Sequence, residues 1–421
     1  MIVMGGIVGS GIFINPHVVA ERVHTAPLIL GVWLAGGVMA MLGAFIWAEL
    51  ATLLPGAGGQ YLYLREAYHP SVAFLYGWVL LLVTQTGGMA AVAVTFARYF
   101  REITGVAASD GAIAAAALLG LTAINCLGVR AGSNVQSALM LTKTAAIAAL
   151  VAAGLLLGGH YAPASVLAAT PHGSGLIASL GAAVIPVAFA YGGWQTSSFV
   201  AAEMRDPRRD LSRGLVLGVS GVVLLYLSVN FVCVRVLGPA GLAATPTPAS
   251  TVMRAALGER GGQWIAFGIA VSTLGFLSQS ILTAPRVYYA MACDGLFFER
   301  VGRLEPRTGV PATAIIVQGL AATAIALVGR YEQILNYVTS IDFISFGLTS
   351  AAIFVLRRRA TVPAEGGYRV PGHPFTTGAF VLAAFGIVMA TFYSYPQNSV
   401  IGLGILAAGF PVYLYWSRRR A

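Results

Sequence analysis

Apolar runs long enough to cross a lipid bilayer recur from one end of this 421-residue chain to the other. A spanning helix needs about 20 apolar residues to cross a hydrocarbon core of about 30 Å. Twelve spans are expected, over approximately 1–16, 27–54, 70–97, 110–129, 133–158, 175–202, 213–237, 262–292, 311–329, 332–356, 376–394 and 398–416. Short polar connections such as PGAGGQYLYLREAYHP (55–70) and RDPRRDLSR (205–213) separate them. The longer segment GPAGLAATPTPASTVMRAALGER (238–260) is expected to hold a short surface helix. The runs lack the ten-residue alternation of a membrane β-barrel. With 57% hydrophobic and 10% charged residues, against about 25% charged in soluble proteins, the chain reads as one all-α polytopic transmembrane domain over 1–421.

The formal charge is +10. In a soluble protein that balance would point to nucleic acid; here the basic residues lie between apolar runs, so no nucleic-acid partner is expected. With the N-terminus inside, the inner connections and tail hold 17 arginines, from Arg65 and Arg205 to Arg418, against seven outside, among them Arg22, Arg98 and Arg330. The positive-inside rule then places both termini in the cytoplasm, in a multi-pass protein of the cell (inner) membrane. Cys126, Cys233 and Cys293 lie in or beside apolar runs, so free thiols are expected. The start MIVMGGIVGSGIF lacks the basic flank and small-residue cleavage site of a signal peptide. Its eight residues before Gly9 rise only about 12 Å, so either a truncated N-terminus or a start codon assigned too late is expected.

The same opening stretch carries four glycines within seven residues, Gly5, Gly6, Gly9 and Gly11, with Ser10 among them. Each costs a helix interior roughly 0.8–1 kcal/mol relative to Ala. The sixth span repeats the pattern in VIPVAFAYGGWQTSSFVAAEM, where Gly192 and Gly193 separate Tyr191 from Trp194. Paired interruptions five spans apart point to a transporter with inverted repeats and a binding site near mid-depth. Irregular backbone survives in lipid only where it lines a cavity. Free N–H groups at a half-helix N-terminus attract a carboxylate, and free carbonyls at a half-helix C-terminus attract an ammonium. A zwitterion carries both charges. The competing reading is that the glycines permit close helix packing.

GGIVGSGIF followed by NP, FAYGGW, WAELATLLPGAGGQYLYLREAY (47–68) and APRVYYAMACDGLF (284–297) resemble the amino acid–polyamine–organocation (APC) superfamily, and within it the L-type amino acid transporter branch. The resemblance implies a LeuT-type five-plus-five inverted repeat, over approximately 1–158 and 175–356, with two further helices over approximately 376–416. It implies movement of α-amino acids by alternating access. Matched residue by residue, it places the carboxylate site on the amides of Ser10 and Gly11. The ammonium site falls on the carbonyl of Ile7 and on carbonyls near Phe189, Ala190 and Gly192, with Phe189 as an aromatic gate. Eukaryotic members carry a cysteine between spans three and four that links to a heavy chain; RYFREITGVAASDG has none, so no disulfide-linked partner is expected.

Lys143 is the only lysine and lies in span five. A lysine at mid-helix costs roughly 2.5–3.5 kcal/mol on insertion scales. Its ammonium is expected where sodium-coupled relatives of the fold bind sodium, tying the carbonyls beside Gly5 and Gly6 to Ser272 in span eight; the alternative is snorkelling to the interface. Asp342 in span ten is a functional candidate as an intramembrane acid. It could bond a polar substrate side chain, pair with a cationic one or carry a proton; otherwise it is a protonated helix–helix partner of Thr339 or Ser345. Ser280 and Phe343 are expected to line the pocket, and Trp194 to pack. Glu49 and Glu203 are expected either to pair with Arg65, Arg205 or Arg213 as an inner gate or to be solvated.

The scattered histidines, His160 and His172 among them, show no metal-ligand spacing, and no metal or cofactor is expected. A membrane enzyme would need a nucleophile–base or metal constellation, and the spans hold no HExxH, GxSxG or carboxylate pair. A channel would want a repeated filter or a ring of charges. The expected function is sodium-independent carriage of α-amino acids, neutral ones first, by exchange or with protons. The alternative is a cationic amino acid or polyamine permease of the same fold.

Overall fold

The computed structural model describes residues 2–159, 174–204, 206–328, 331–359 and 367–420. Arg205, Arg330, His160, His172 and the side chain of Thr339 lie outside the described residues. Each expected span falls on helix. The first is split into α1 (Ile2–Ile7) and α2 (Gly11–Val23), followed by α3 (Ala26–Leu53) and a short α4 (Gln60–Ala67). The third runs as α5 (Pro70–Val79), a π-helical turn Leu80–Thr84, and α6 (Gln85–Thr104). Then come α7 (Asp110–Cys126), α8 (Val129–Leu156) and α9 (Ser174–Tyr191), which continues beyond Gly193 as a 3₁₀ segment Trp194–Glu203. The remainder are α10 (Pro207–Ala244), α11 (Pro248–Thr283), α12 (Pro285–Cys293), α13 (Ala312–Val328), α14 (Tyr331–Arg359), α15 (Phe375–Ser394) and α16 (Pro396–Arg420). Among the described residues, eight segments are long and apolar enough to cross a membrane, and two shorter apolar helices, Asp110–Cys126 and Ala312–Val328, join them.

Local chemistry sets many of these boundaries. α3, α5, α10, α11 and α12 each carry Pro in the first turn, where its missing N–H leaves no bond unmade. Ser109 Oγ accepts from the Ala112 amide and Asp206 Oδ1 from the Arg209 amide, each at 3.2 Å, capping α7 and α10. The surface helix expected in 238–260 exists as two stubs: α10 turns at Gly238 (φ 64°) and α11 at Gly258 (φ 69°).

The centre of the bundle is aromatic. α3 lies along α10, and α2 packs against α9. Trp33, Tyr191 and Tyr226 pack together with ring centroids 5.0–5.9 Å apart. Trp47, Trp194 and Phe346 form a second group at 5.1–6.2 Å. These rings flank the two breaks and hold them side by side.

One end of the bundle is tied by ion pairs with partners other than those expected. Glu49, 3% exposed, accepts from Arg357 Nε at 2.6 Å and Nη2 at 2.7 Å, and from the Val370 amide at 2.6 Å. Glu203 pairs with Arg286 at 2.7 Å. Arg65 instead reaches Asp294, to which the Tyr61 hydroxyl also donates at 2.7 Å. α14 brings Arg357 to Glu49, and α12 brings Arg286 to Glu203.

Candidate functional site

Both interruptions open onto one cavity. Its lining includes Ile7, Ser10, Gly11, Phe189, Ala190, Gly192, Ser280, Asp342 and Phe343, all nine residues expected there. In the first interruption only Val8, Gly9 and Ser10 leave the helix. Among the described residues the amides of Gly9 and Ser10 find no acceptor. Gly11 begins α2, so its N–H has no intrahelical partner. Three residues with free amides thus line one cavity at a helix N-terminus, an arrangement that favours an anion.

Gly5, Gly6 and Gly11 remain helical. Their role is close approach. A Cβ on Gly11 would stand 2.9 Å from both Cα and Cβ of Ala190, and one on Gly6 would stand 2.7 Å from the Gly193 carbonyl oxygen. The packing reading of these glycines therefore holds for the three, alongside the break beside them. In the second interruption Gly193 has φ 110°, a conformation that glycine adopts without strain.

The carbonyls expected to take an ammonium are partly occupied. The Tyr226 hydroxyl lies 3.1 Å from Ile7 O and 3.2 Å from Ala190 O. Having one proton, it donates to one of them at a time. The Phe189 carbonyl accepts from the Gly192 amide at 3.1 Å. Each carbonyl oxygen has a second lone pair, so acceptor capacity remains. Tyr226 gave no signal in the sequence, because nothing in SGVVLLYLSVN marks which helix its hydroxyl will meet.

Lys143 is fully buried. Its Nζ donates to Val8 O at 2.6 Å and to Gly5 O at 3.2 Å, so it is directed at the first break and away from any interface. Two details differ from expectation. The second acceptor is Val8 instead of Gly6, and among the described residues Ser272 Oγ is buried without a partner. Val8 is the first residue out of helix, and the Gly6 carbonyl oxygen instead lies close against Gly193.

Asp342 does not bond Ser345, whose hydroxyl donates to Ile341 O at 3.1 Å. The carboxyl lies close to the Thr84 hydroxyl, though without proper hydrogen-bond geometry. Trp194 is absent from the cavity wall and packs as expected. Sequence reasoning missed the contribution of the third span, Thr84, Gln85 and Gly88. The available signal was the polar, glycine-bearing TQTGG within an apolar run. Beyond the cavity, away from the ion-paired end, a vestibule is lined by Asn15, His17, Arg22, Arg98, Glu102 and Tyr395 among others.

Residues 1–415 match the amino acid permease family. The serine/threonine exchanger SteT of Bacillus subtilis (strain 168) is 28% identical over 424 residues, covering 100% of this chain and 95% of that protein. Human b(0,+)-type amino acid transporter 1 is 31% identical over 370 residues, covering 85% and 74%. Human large neutral amino acids transporter small subunit 2 is 29% identical over 434 residues, covering 99% and 79%. With two broken helices converging on one cavity and the match running almost end to end, the chain belongs to the amino acid permease family of the APC superfamily.

Proposed function

We propose that this permease is a secondary carrier that moves neutral α-amino acids across the cell membrane by alternating access. One observation carries the reading: free amides at the start of α2 and carbonyls at the ends of α1 and α9 line the same cavity. A carboxylate and an ammonium on one carbon can engage both at once. The relatives' printed names describe amino acid exchange and transport, which supports the same reading. The binding set is Ile7, Ser10 and Gly11 with Phe189, Ala190 and Gly192, with Ser280, Asp342 and Phe343 around the substrate side chain. Residues 1–158 and 175–356 form the two inverted repeats. Both termini face the cytoplasm, so the end tied by Glu49–Arg357 and Glu203–Arg286 is a closed inner gate, and the vestibule opens outward.

The Lys143 ammonium group fills the space between α8 and the first break and bonds its carbonyls, so the cycle runs without sodium. No heavy chain is covalently attached, and the protein acts as a carrier with no catalytic chemistry of its own. Purified protein in liposomes tests the reading. Label uptake should accelerate when the lumen is preloaded with unlabelled amino acid, as a carrier requires and a channel does not. Stabilisation by polyamines, with no α-amino acid shifting the melting temperature, would overturn it.

A further inference from the structure

The end of the bundle tied by ion pairs has a second, deeper tie. Gln279 of α11 is fully buried, and its Nε2 donates to Thr196 Oγ1 at 2.8 Å. Thr196 in turn donates to the Gly193 carbonyl inside the second break, at 2.7 Å. The same 3₁₀ segment is met again further along, where Arg286 of α12 donates to Glu203 at 2.7 Å. Both bonds join residues 83 apart in the chain. They are two rungs in one register, seven residues apart on either side, a rise of about 10 Å along a helix. The Glu203 side chain is 41% exposed, whereas Thr196 lines the cavity. The deep rung therefore stands where the cavity stops and the tied end begins.

α1 leans on this rung as well. A Cβ on Gly6 would stand 2.7 Å from the Gly193 oxygen, 2.8 Å from Thr196 Oγ1 and 3.2 Å from Gln279 Nε2. One buried amide thus lies against the segments that flank both breaks. The chemistry of the rung suits parting. It is a single neutral hydrogen bond, and among the described residues Gln279 Oε1 has no partner. An ion pair separated at this depth would leave an uncompensated buried charge; an amide and a hydroxyl leave none. The break keeps its own shape without Gln279, since Gln195 and Thr196 bond Gly193 from within three residues. What Gln279 adds is a neighbour: it docks that preformed unit against α11.

We infer that Gln279 is a positioning residue that latches the second break to α11 and so holds the cavity closed toward the ion-paired end. The inference rests on the carrier reading above, in which that end must open to release substrate. Opening there separates Arg286 from Glu203, and a rigid separation of the two elements breaks both rungs. An equilibrium between two states shifts only through interactions that differ between them. The Gln279–Thr196 bond, made with this end closed and lost with it open, is such an interaction.

Two cysteine reporters test the latch in the full-length protein in nanodiscs, with the three native cysteines replaced by alanine. Thr283→Cys lies on α11 between the rungs, at a fully buried position. Val18→Cys lines the vestibule at the opposite end. Each is timed against a hydrophilic thiol reagent. Gln279→Leu, which keeps the bulk and removes the amide, should speed labelling at position 283 about fivefold, the scale of one neutral hydrogen bond, with no acceleration at position 18. Gln279→Asn, a methylene too short to reach Thr196, should give the same pattern and serves should Gln279→Leu fail to fold. Unchanged labelling at 283 overturns the latch. Equal acceleration at both positions, the mark of general loosening, overturns it too. With Gln279 intact, a mixture of neutral α-amino acids should also alter labelling at 283. If the mixture acts and Gln279→Leu does not, the latch fails and the carrier reading stands. If Gln279→Leu acts and the mixture does not, the latch stands and the reading of neutral amino acids as substrate fails.

Discussion

The two breaks do the same job by opposite means. The break after α9 is built from its own neighbours. Gly193 takes φ 110°, its amide donates to Gln195 Oε1 at 2.9 Å, and its carbonyl accepts from Thr196 Oγ1 at 2.7 Å. These two partners of Gly193 lie within three residues, although the Ala190 carbonyl before it also lies 3.2 Å from the Tyr226 hydroxyl. The break after α1 has no such support. Ser10 sits at φ −74°, ψ −24°, an ordinary helical conformation, and the freed carbonyls are held from far away. Lys143 serves Gly5 and Val8 from 135–138 residues along the chain. Tyr226 serves Ile7 from 219 residues away. A locally written break is rigid, whereas one held by distant helices responds when those helices move. The first break is therefore the one tied to α8 through Lys143, while Tyr226 of α10 reaches both.

The largest expected effect comes from striking the self-supported break. Gly193→Ala would drive a Cβ into the Gly6 carbonyl oxygen and impose a left-handed conformation that costs a non-glycine residue about 1–2 kcal/mol. Loss of the folded, monodisperse peak on size-exclusion chromatography is expected. Gly192→Ala, whose Cβ would meet only the Phe189 oxygen at 3.3 Å and the Ala188 oxygen at 3.6 Å, should remain folded. Equal behaviour of the two would remove the special status of Gly193.

Lys143→Met strikes the remotely held break. It leaves two buried carbonyls without a charge-assisted bond worth about 1.5–3 kcal/mol, so uptake should fall at least tenfold. Replacing sodium by choline should leave wild-type uptake unchanged; a several-fold loss would contradict the role given to this lysine.

Gly11→Val probes the anion end. With 2.9 Å between the added Cβ and Ala190, α2 must shift and its free amides lose their aim. One such bond is worth about 1.5–3 kcal/mol, so substrate affinity should weaken about tenfold or more. Tyr226→Phe keeps the ring against Trp33 and Tyr191 but removes the bridge between the breaks. One neutral hydrogen bond is worth about 1 kcal/mol, so KM should rise about fivefold with the maximal rate preserved. Ser10→Ala should matter least, within about twofold by the same scale, because the proposed donor is the main-chain N–H. Loss of binding in Ser10→Ala with Gly11→Val tolerated would mean that the hydroxyl is the ligand and would sink the unwound-backbone account.

How much of this was legible beforehand follows from which interactions are local. The spans could be read directly, because lipid demands long apolar segments whose backbone bonds close within the segment. GGIVGSGIF and YGGW marked both interruptions, since glycine is the residue that tolerates them. Even so, glycine counted for two things at once. The break itself fell on Val8–Ser10, and Gly5, Gly6 and Gly11 serve contacts with Gln136, Gly193 and Ala190.

What the chain's order of residues determined by itself is the all-helical membrane class, the places where helices cannot run through, and the intramembrane charges that must find partners. The tertiary structure alone decided who those partners are. Glu49 meets Arg357 across 308 residues, Arg286 meets Glu203 across 83, and the π-turn brings Thr84 opposite Asp342. Hydrophobic length acts over about 20 consecutive residues, and glycine over one or two turns of the chain. Hydrogen bonds and ion pairs act over about 3 Å of space, and only helix packing determines which distant residues come that close.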